Sequence, residues 1–385
     1  MAASGEVPAL RVFASLLALA LAPALVLSEG LVQPLVLSEG PAQPRVEFRW
    51  KLPPGLPVPQ VPADNPMSQA KVRLGRRLFY DTRLSGNGTF SCGSCHQQAH
   101  AFTDGRARAI GSTGEAHARS AMSLANVAYN ASYGWADAAV RTLEAQIAVP
   151  MFNEHPIEMG LKGHEAAAVA RLAADGMDGR LFRDAFPADA APVTIDNAIK
   201  AIAAFERTLL SANSPLDRYL YRDERSALGP AALRGMKLFF SDRLACAGCH
   251  AGFNLSGPTV HDGAAPSAPT FHNTGLYDVD GRGAYPSVDR GLIDRTRRAA
   301  DMGRFRAPTL RNIAVTAPYM HDGSVPTLEA AVAHYASGGR QSRFKSPRLK
   351  GFALQSSEVA DLVAFLNALT DREFLTNADF GRPNQ

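Results

Sequence analysis

Two stretches of this chain copy one another, and that duplication limits the folds open to it. Gly75-Arg-Arg-Leu-Phe-Tyr-Asp-Thr-Arg-Leu84 and Gly235-Met-Lys-Leu-Phe-Phe-Ser-Asp-Arg-Leu244 both read G-x-x-L-F-[FY]-x-x-R-L. They lie 160 residues apart, and each is soon followed by C-x-x-C-H. A period that long repeats a whole domain rather than a short solenoid unit. The length of 385 residues suits two such domains. Helical patterns dominate around the copies. Ile195, Ile199, Ile202, Phe205 and Leu209 fall on one helical face, as do Val359, Leu362, Leu366 and Leu369. Asn65-Pro66 reads as an N-cap with proline at the first helical position. Strand alternation is scarce, and loops rich in Gly and Pro connect the helices, notably over 251–291. The expected fold class is therefore mainly α. Two tandem domains, 66–215 and 216–375, are related by internal duplication, with a tail at 376–385.

Hydrophobic residues at 46% and charged residues at 20% exclude a disordered chain. A net charge of +4 over this length is too weak to argue for nucleic acid. At the amino end, no charge falls between Arg11 and Glu29, and the apolar run between them is short and rich in Ala and Pro. Residues 1–40 thus read as a secretory signal peptide and processing region, which implies a periplasmic protein. The alternative is an uncleaved anchor helix. No other stretch is long enough to span a membrane. Residues 41–65 carry Pro53, Pro54, Pro57, Pro59 and Pro62 and read as an extended lead-in.

The two C-x-x-C-H motifs, Cys92–His96 and Cys246–His250, use all four cysteines. In such a motif both thiols add to haem vinyl groups, and the adjacent imidazole reaches the iron. One turn of chain must therefore present two sulfurs and a histidine to one porphyrin. Two such motifs on duplicated domains, with no spare cysteine, imply two covalently bound c-type haems. A redox pair or a zinc site is the alternative, but zinc would need both cysteine pairs packed together. The second axial position of each iron then decides between electron carriage and an open, reactive face. Sequence chemistry leaves it open. Candidates near the first haem are Met122, Met151, His155 and Met159. Near the second they are Met302, Met320, His321, His334 and Tyr335.

With two c-haem motifs and Thr309-Leu-Arg-Asn-Ile-Ala-Val-Thr-Ala-Pro-Tyr-Met-His-Asp-Gly323 in the second half, the chain resembles the bacterial di-haem cytochrome c peroxidase and MauG family. The resemblance runs from about residue 66 to 372. In the peroxidases of that family the second haem takes a methionine, where this chain has Tyr335. MauG-like members place a tyrosine there. A phenolate is a hard anionic donor that favours ferric and higher iron, whereas a thioether favours the ferrous state. The resemblance thus implies Tyr335 as the second ligand of the His250 haem, with Met320 as the rival.

The segment Trp135 to Gly160 resembles the family's distal segment over the first haem. By that match, Gln146, Pro150 and Glu158 lie over the open face. Proline cannot ligate iron or donate a hydrogen bond, and a carboxylate can move a proton between peroxide oxygens. Glu154 is a rival for the acid–base role. Trp135 resembles the tryptophan that relays electrons between the haems. The family also holds a calcium ion there, and its carbonyl ligands would map to Thr316 and Pro318. Its asparagine position is Ser120, a poorer ligand for a hard cation. His100, His117 and His155 take no role from the resemblance.

The function implied is that of a MauG-like di-haem peroxidase. Hydrogen peroxide would react at the His96 haem, and the oxidising equivalents would spread through Trp135 into a high-valent di-haem state. A residue of a periplasmic partner protein would be the final reductant. Within the family, the segments around Trp135 and Phe152–Gly160 are most similar to the methanobactin-associated branch (MbnH), which is thought to oxidise a partner tryptophan. One alternative is a cytochrome c peroxidase fed by a small cytochrome, with a methionine ligand. Another is a di-haem electron carrier with both irons six-coordinate.

Overall fold

The computed structural model describes residues 48–265 and 267–383. The signal and processing region and the start of the lead-in lie outside them. The chain is mainly helical, and its only β ladder among the described residues is the two-residue antiparallel pair Phe271–His272 with Phe305–Arg306. Each half is organised by the same crossing. Helix Gln69–Phe79 packs on Ile195–Glu206, and Pro230–Phe239 packs on Ser356–Asn367. The first residue of the repeated motif explains why. A Cβ on Gly75 would collide with the Ala201 carbonyl, and one on Gly235 with the Asp361 carbonyl. Glycine lets the two backbones touch at both crossings.

The helix boundaries follow local chemistry, with one correction. The first helix begins at Gln69, and its N-cap is Ser68, whose hydroxyl accepts from the Lys71 amide at 3.1 Å. Asn65 caps nothing. Its buried amide donates to Glu144 Oε1 at 2.6 Å and to the Lys200 carbonyl at 2.9 Å, so it ties three segments together. Leu209 and Leu369 lie just past the ends of their helices and are still buried.

Two apolar clusters result. The first holds Leu74, Leu78, Phe79, Phe102, Leu143, Ile202 and Phe205. The second holds Phe239, Leu244, Val332, Leu362, Phe365 and Leu366. Phe374, from beyond the second cluster in sequence, packs into the first, 5.5 Å from Phe102 between ring centres. Its neighbours fasten the same way. Gln98 donates to the carbonyls of Phe374 and Asn377, Tyr80 to that of Phe380, and Arg76 to that of Gly381. A buried ion pair, Arg311 with Asp217 at 2.8 and 2.9 Å, braces the second half. Both its groups are fully bonded, as burial requires. Among the described residues, no helix is long and apolar enough to cross a membrane.

Candidate haem sites

Each C-x-x-C-H sits on one tight turn. Cys92–Cys95 is a single α turn opened by a capping box between Ser91 and Ser94, and the His96 amide donates to the Cys92 carbonyl at 2.9 Å. Cys246–Gly248 is a single 3-10 turn, with the His250 amide on the Cys246 carbonyl at 3.0 Å. Both turns keep the two sulfurs and the imidazole together. Burial pushes the thiols up, Cys95 and Cys246 to about 11, which disfavours the thiolate form that a zinc site uses. Among the described residues, no three His, Cys, Asp or Glu side chains gather as a zinc site needs.

The histidines are pinned for ligation. His96 Nδ1 donates to the Phe102 carbonyl at 2.7 Å. His250 Nδ1 lies 3.2 Å from the Leu255 carbonyl and 3.1 Å from that of Pro308. A carbonyl only accepts, so the ring proton is on Nδ1 and Nε2 keeps its lone pair. Burial holds both rings neutral, His250 down to about 4. Phe102 and Leu255 are both left-handed, with φ of 62° and 47°, an uncommon state for such side chains. That conformation turns each carbonyl toward its histidine. The sequence gives no sign of it, because neither residue type prefers a positive φ.

A cavity of about 280 Å³ opens beside the second motif. Cys246, Cys249, His250, Tyr335 and Met320 line it, with Phe239, Leu310, Val332, Phe352, Leu362 and Leu366 as apolar walls. Sulfur, imidazole and hydrocarbon in that arrangement fit a covalently bound porphyrin. Of the other candidate ligands, His321 stacks on Phe305 at 3.7 Å and faces Asp289 at 3.8 Å. His334 donates through Nε2 to the Thr274 carbonyl at 3.0 Å, and Met302 packs in the cluster around Tyr285. Tyr335 reaches the cavity from helix Leu328–Ala336, whose Leu328, Ala331 and Val332 line the same wall.

That helix has a counterpart in the first half. Thr142-Leu-Glu-Ala145 opens helix Leu143–Phe152, and Thr327-Leu-Glu-Ala330 opens Leu328–Ala336. Each threonine hydroxyl accepts from the amide three residues on, at 3.1 Å in both. Leu143 and Ile147 are buried like Leu328 and Val332. In this register Gln146 stands where Ala331 stands, and Pro150 where Tyr335 stands. The T-L-E-A signal is present in the sequence but was passed over, because these copies lie 185 residues apart and not 160. Asn126 and Asn312 form another matched pair. Both are left-handed, and both amides donate to the leucine after the long helix, Leu209 or Leu369, at 2.9 Å.

The remaining distal residues separate by environment. Glu154 is exposed and paired with Lys162. Glu158 lies near Cys95 and His117, and burial raises its carboxyl to about 7. Met151 and Met159 are buried in the first apolar cluster, and His155 is exposed. Gln146 Oε1 lies 3.6 Å from the position a Cβ would take on Gly134, beside the Trp135 backbone.

Trp135 lines the cavity and is tied to both halves. Its Nε1 donates to the Ser120 carbonyl at 2.9 Å, and its own carbonyl accepts from the Arg306 amide at 2.8 Å. Ser120, Thr316 and Pro318 line the same cavity, and the Ser120 hydroxyl lies 3.4 Å from the carbonyls of Met320 and His321. Met122 is there as well, with its sulfur 3.5 Å from Arg306 Nη2. Arg306 was missed in the sequence. It lines the cavity, burial lowers it to about 10, and no carboxylate pairs with it among the described residues.

A di-haem cytochrome c peroxidase family model matches residues 69–225, and a RoxA-like, cytochrome c-like model matches 304–345. The chain is 36% identical to cytochrome-c peroxidase IdrP1 of Denitromonas iodatirespirans, over 86% of this chain and 89% of that one. It is 33% identical to methylamine utilization protein MauG of Methylorubrum extorquens, over 83% of each. A solved MauG-like protein associated with microbial copper homeostasis superposes with a TM-score of 0.85 at 46% identity, covering 87% of this chain and 99% of that one. The duplicated haem-binding architecture and these relatives agree, and the chain belongs to the di-haem cytochrome c peroxidase/MauG family of haem peroxidases.

Proposed function

We propose that this chain is a MauG-like peroxidase that takes peroxide at the His96 haem and draws the electrons from a tryptophan of a periplasmic partner protein. The observation that carries the reading is the matched helix pair, with Pro150 in one half where Tyr335 stands in the other. When bound, the two haems supply the redox chemistry, accepting two oxidising equivalents as peroxide becomes water. The side chains do the rest. Pro150 offers neither a ligand atom nor an N–H and leaves its face open. Glu158, with a carboxyl near 7, takes a proton from one peroxide oxygen and returns it to the other. Gln146 supplies an amide one turn before Pro150 on the same helix. Tyr335 would give the second haem a hard anionic ligand, its phenol losing its proton to bind the iron. Trp135 bridges the halves, and Arg306 would offer its positive charge to an anionic group held in the cavity. A calcium ion, if held, would sit by the Thr316 and Pro318 carbonyls beside Ser120. The copper association of the solved relative and the resemblance to the methanobactin-associated branch favour a partner in copper handling.

The peroxidase reading needs Met320 or another methionine as the ligand in place of Tyr335, and Met320 lines the same cavity. The carrier reading needs Met151 or His155 over the first haem, and one is buried in the core while the other is exposed. The test is one equivalent of peroxide added to the fully oxidised protein, followed by visible, near-infrared and EPR spectra. Loss of the ferric signals without prior reduction, with a near-infrared charge-resonance band, is expected. A protein that reacts only after one haem is reduced would fit the Met320 reading instead.

A further inference from the structure

We propose that His117 is a positioning residue for Glu158, holding its Nε2–H on one carboxylate oxygen so that the other faces peroxide. The inference rests on the reading that Glu158 serves the peroxide face. His117 Nδ1 lies 3.0 Å from the Arg119 amide, which donates to it. A backbone amide cannot accept, so Nδ1 carries the lone pair and the proton of the neutral ring sits on Nε2. Nε2 is 3.7 Å from Glu158 Oε1, a gap that a small side-chain rotation closes to a hydrogen bond.

The backbone sets this meeting. Residues 109–119 form a hairpin in which the Ala109 amide donates to the Arg119 carbonyl at 3.0 Å and the His117 amide to that of Ala109 at 2.7 Å. The hairpin grips the segment before Met159. The Ser112 amide donates to the Glu158 carbonyl at 2.7 Å, and Glu115 Oε2 accepts from the Ile157 amide at 3.0 Å. A Cβ on Gly111 would strike the Ile157 carbonyl, so the two strands touch there. Three contacts thus fix where His117 and Glu158 face each other.

Burial and the Arg119 amide make the histidine a donor only. Glu115 and Asp289 favour its cation and Arg119 opposes it, but burial wins and holds the ring neutral. Nδ1 is already occupied, so His117 can donate to an ionised Glu158 but not accept from a protonated one. Such a bond stabilises the carboxylate more than the acid and offsets part of the rise that burial imposes. The side chains are 26% and 29% exposed, enough for the pair to exchange protons with solvent.

The experiment compares wild type, H117A, H117Q, E158Q and H117A/E158Q as haem-loaded proteins. Two readouts are taken against pH: the rate of the Soret change with peroxide, and the rate of cyanide binding to the ferric protein. Cyanide binding requires HCN to lose its proton and involves no turnover. H117A is expected to shift the pH midpoint of both upward by about one unit, making both rates about tenfold slower below it. H117Q, whose amide can donate to Glu158 while its oxygen accepts from Arg119, should restore the midpoint. In the E158Q background H117A should add nothing. If E158Q removes the pH step while folded H117A keeps the wild-type midpoint, the role of His117 is overturned and that of Glu158 stands. If E158Q leaves both profiles unchanged, the Glu158 reading falls and this inference with it.

Discussion

The two halves share nearly every device that holds a haem and differ at the place where chemistry is decided. Both have the glycine crossing, the cysteine turn, the histidine pinned by a left-handed residue and the helix opened by T-L-E-A. In the first half that helix carries Gln146 and Pro150 and leads into the segment bearing Glu158. In the second it carries Ala331 and Tyr335. Under the proposed reading, a duplicated scaffold would hold one iron open and cap the other through one position on one helix.

If that position is decisive, Pro150→Tyr should have the largest effect. The high-spin ferric EPR signal should be lost, and reaction with peroxide should slow by about two orders of magnitude or more. A variant that stays high-spin would break the comparison between the halves. Glu158→Gln should come next, slowing the peroxide reaction by about 100-fold. In wild type, that rate should climb as pH rises through about 7, because the carboxyl held near 7 becomes a base above it. Stopped-flow mixing across that range reads both. Tyr335→Met should leave the first haem alone and raise the potential of the second by on the order of 0.1 V or more, within the span axial ligands command. Spectroelectrochemical titration measures it, and an unchanged potential would favour Met320 as the ligand. The smallest effects test the likeness itself. Thr142→Ala and Thr327→Ala each remove one helix cap and should each cost about 1 kcal/mol in chemical unfolding.

How much of this was legible in the sequence depends on the kind of feature. The duplicated motif, the cysteine turns and the amphipathic faces are local, and period and spacing revealed them. The Asn65-Pro66 cap was misread because Asn65 is recruited by Glu144 and Lys200, partners far away in sequence. Ser68 is the better-placed hydroxyl for Lys71. The T-L-E-A pair escaped because the segment between motif and helix is longer in the second half, which breaks the constant offset. Loop length varies freely where the anchoring geometry does not. His117 could not be read at all, since only the fold of the 109–119 hairpin brings it to Glu158. The roles given to Tyr335, Gln146, Pro150, Glu158, Trp135, Thr316 and Pro318 come from the resemblance, and the Tyr335, Pro150 and Glu158 variants above test three of them.

The clasp that Phe374, Asn377, Phe380 and Gly381 make on the first half has a consequence in time. A chain emerges from its amino end, so Cys92 and Cys95 appear long before the residues that close over their neighbourhood. Gln98, two residues past His96, finds its two carbonyl partners only after the whole second half has been made. The first half is thus finished last. Its cysteine turn passes through a long interval without those final contacts.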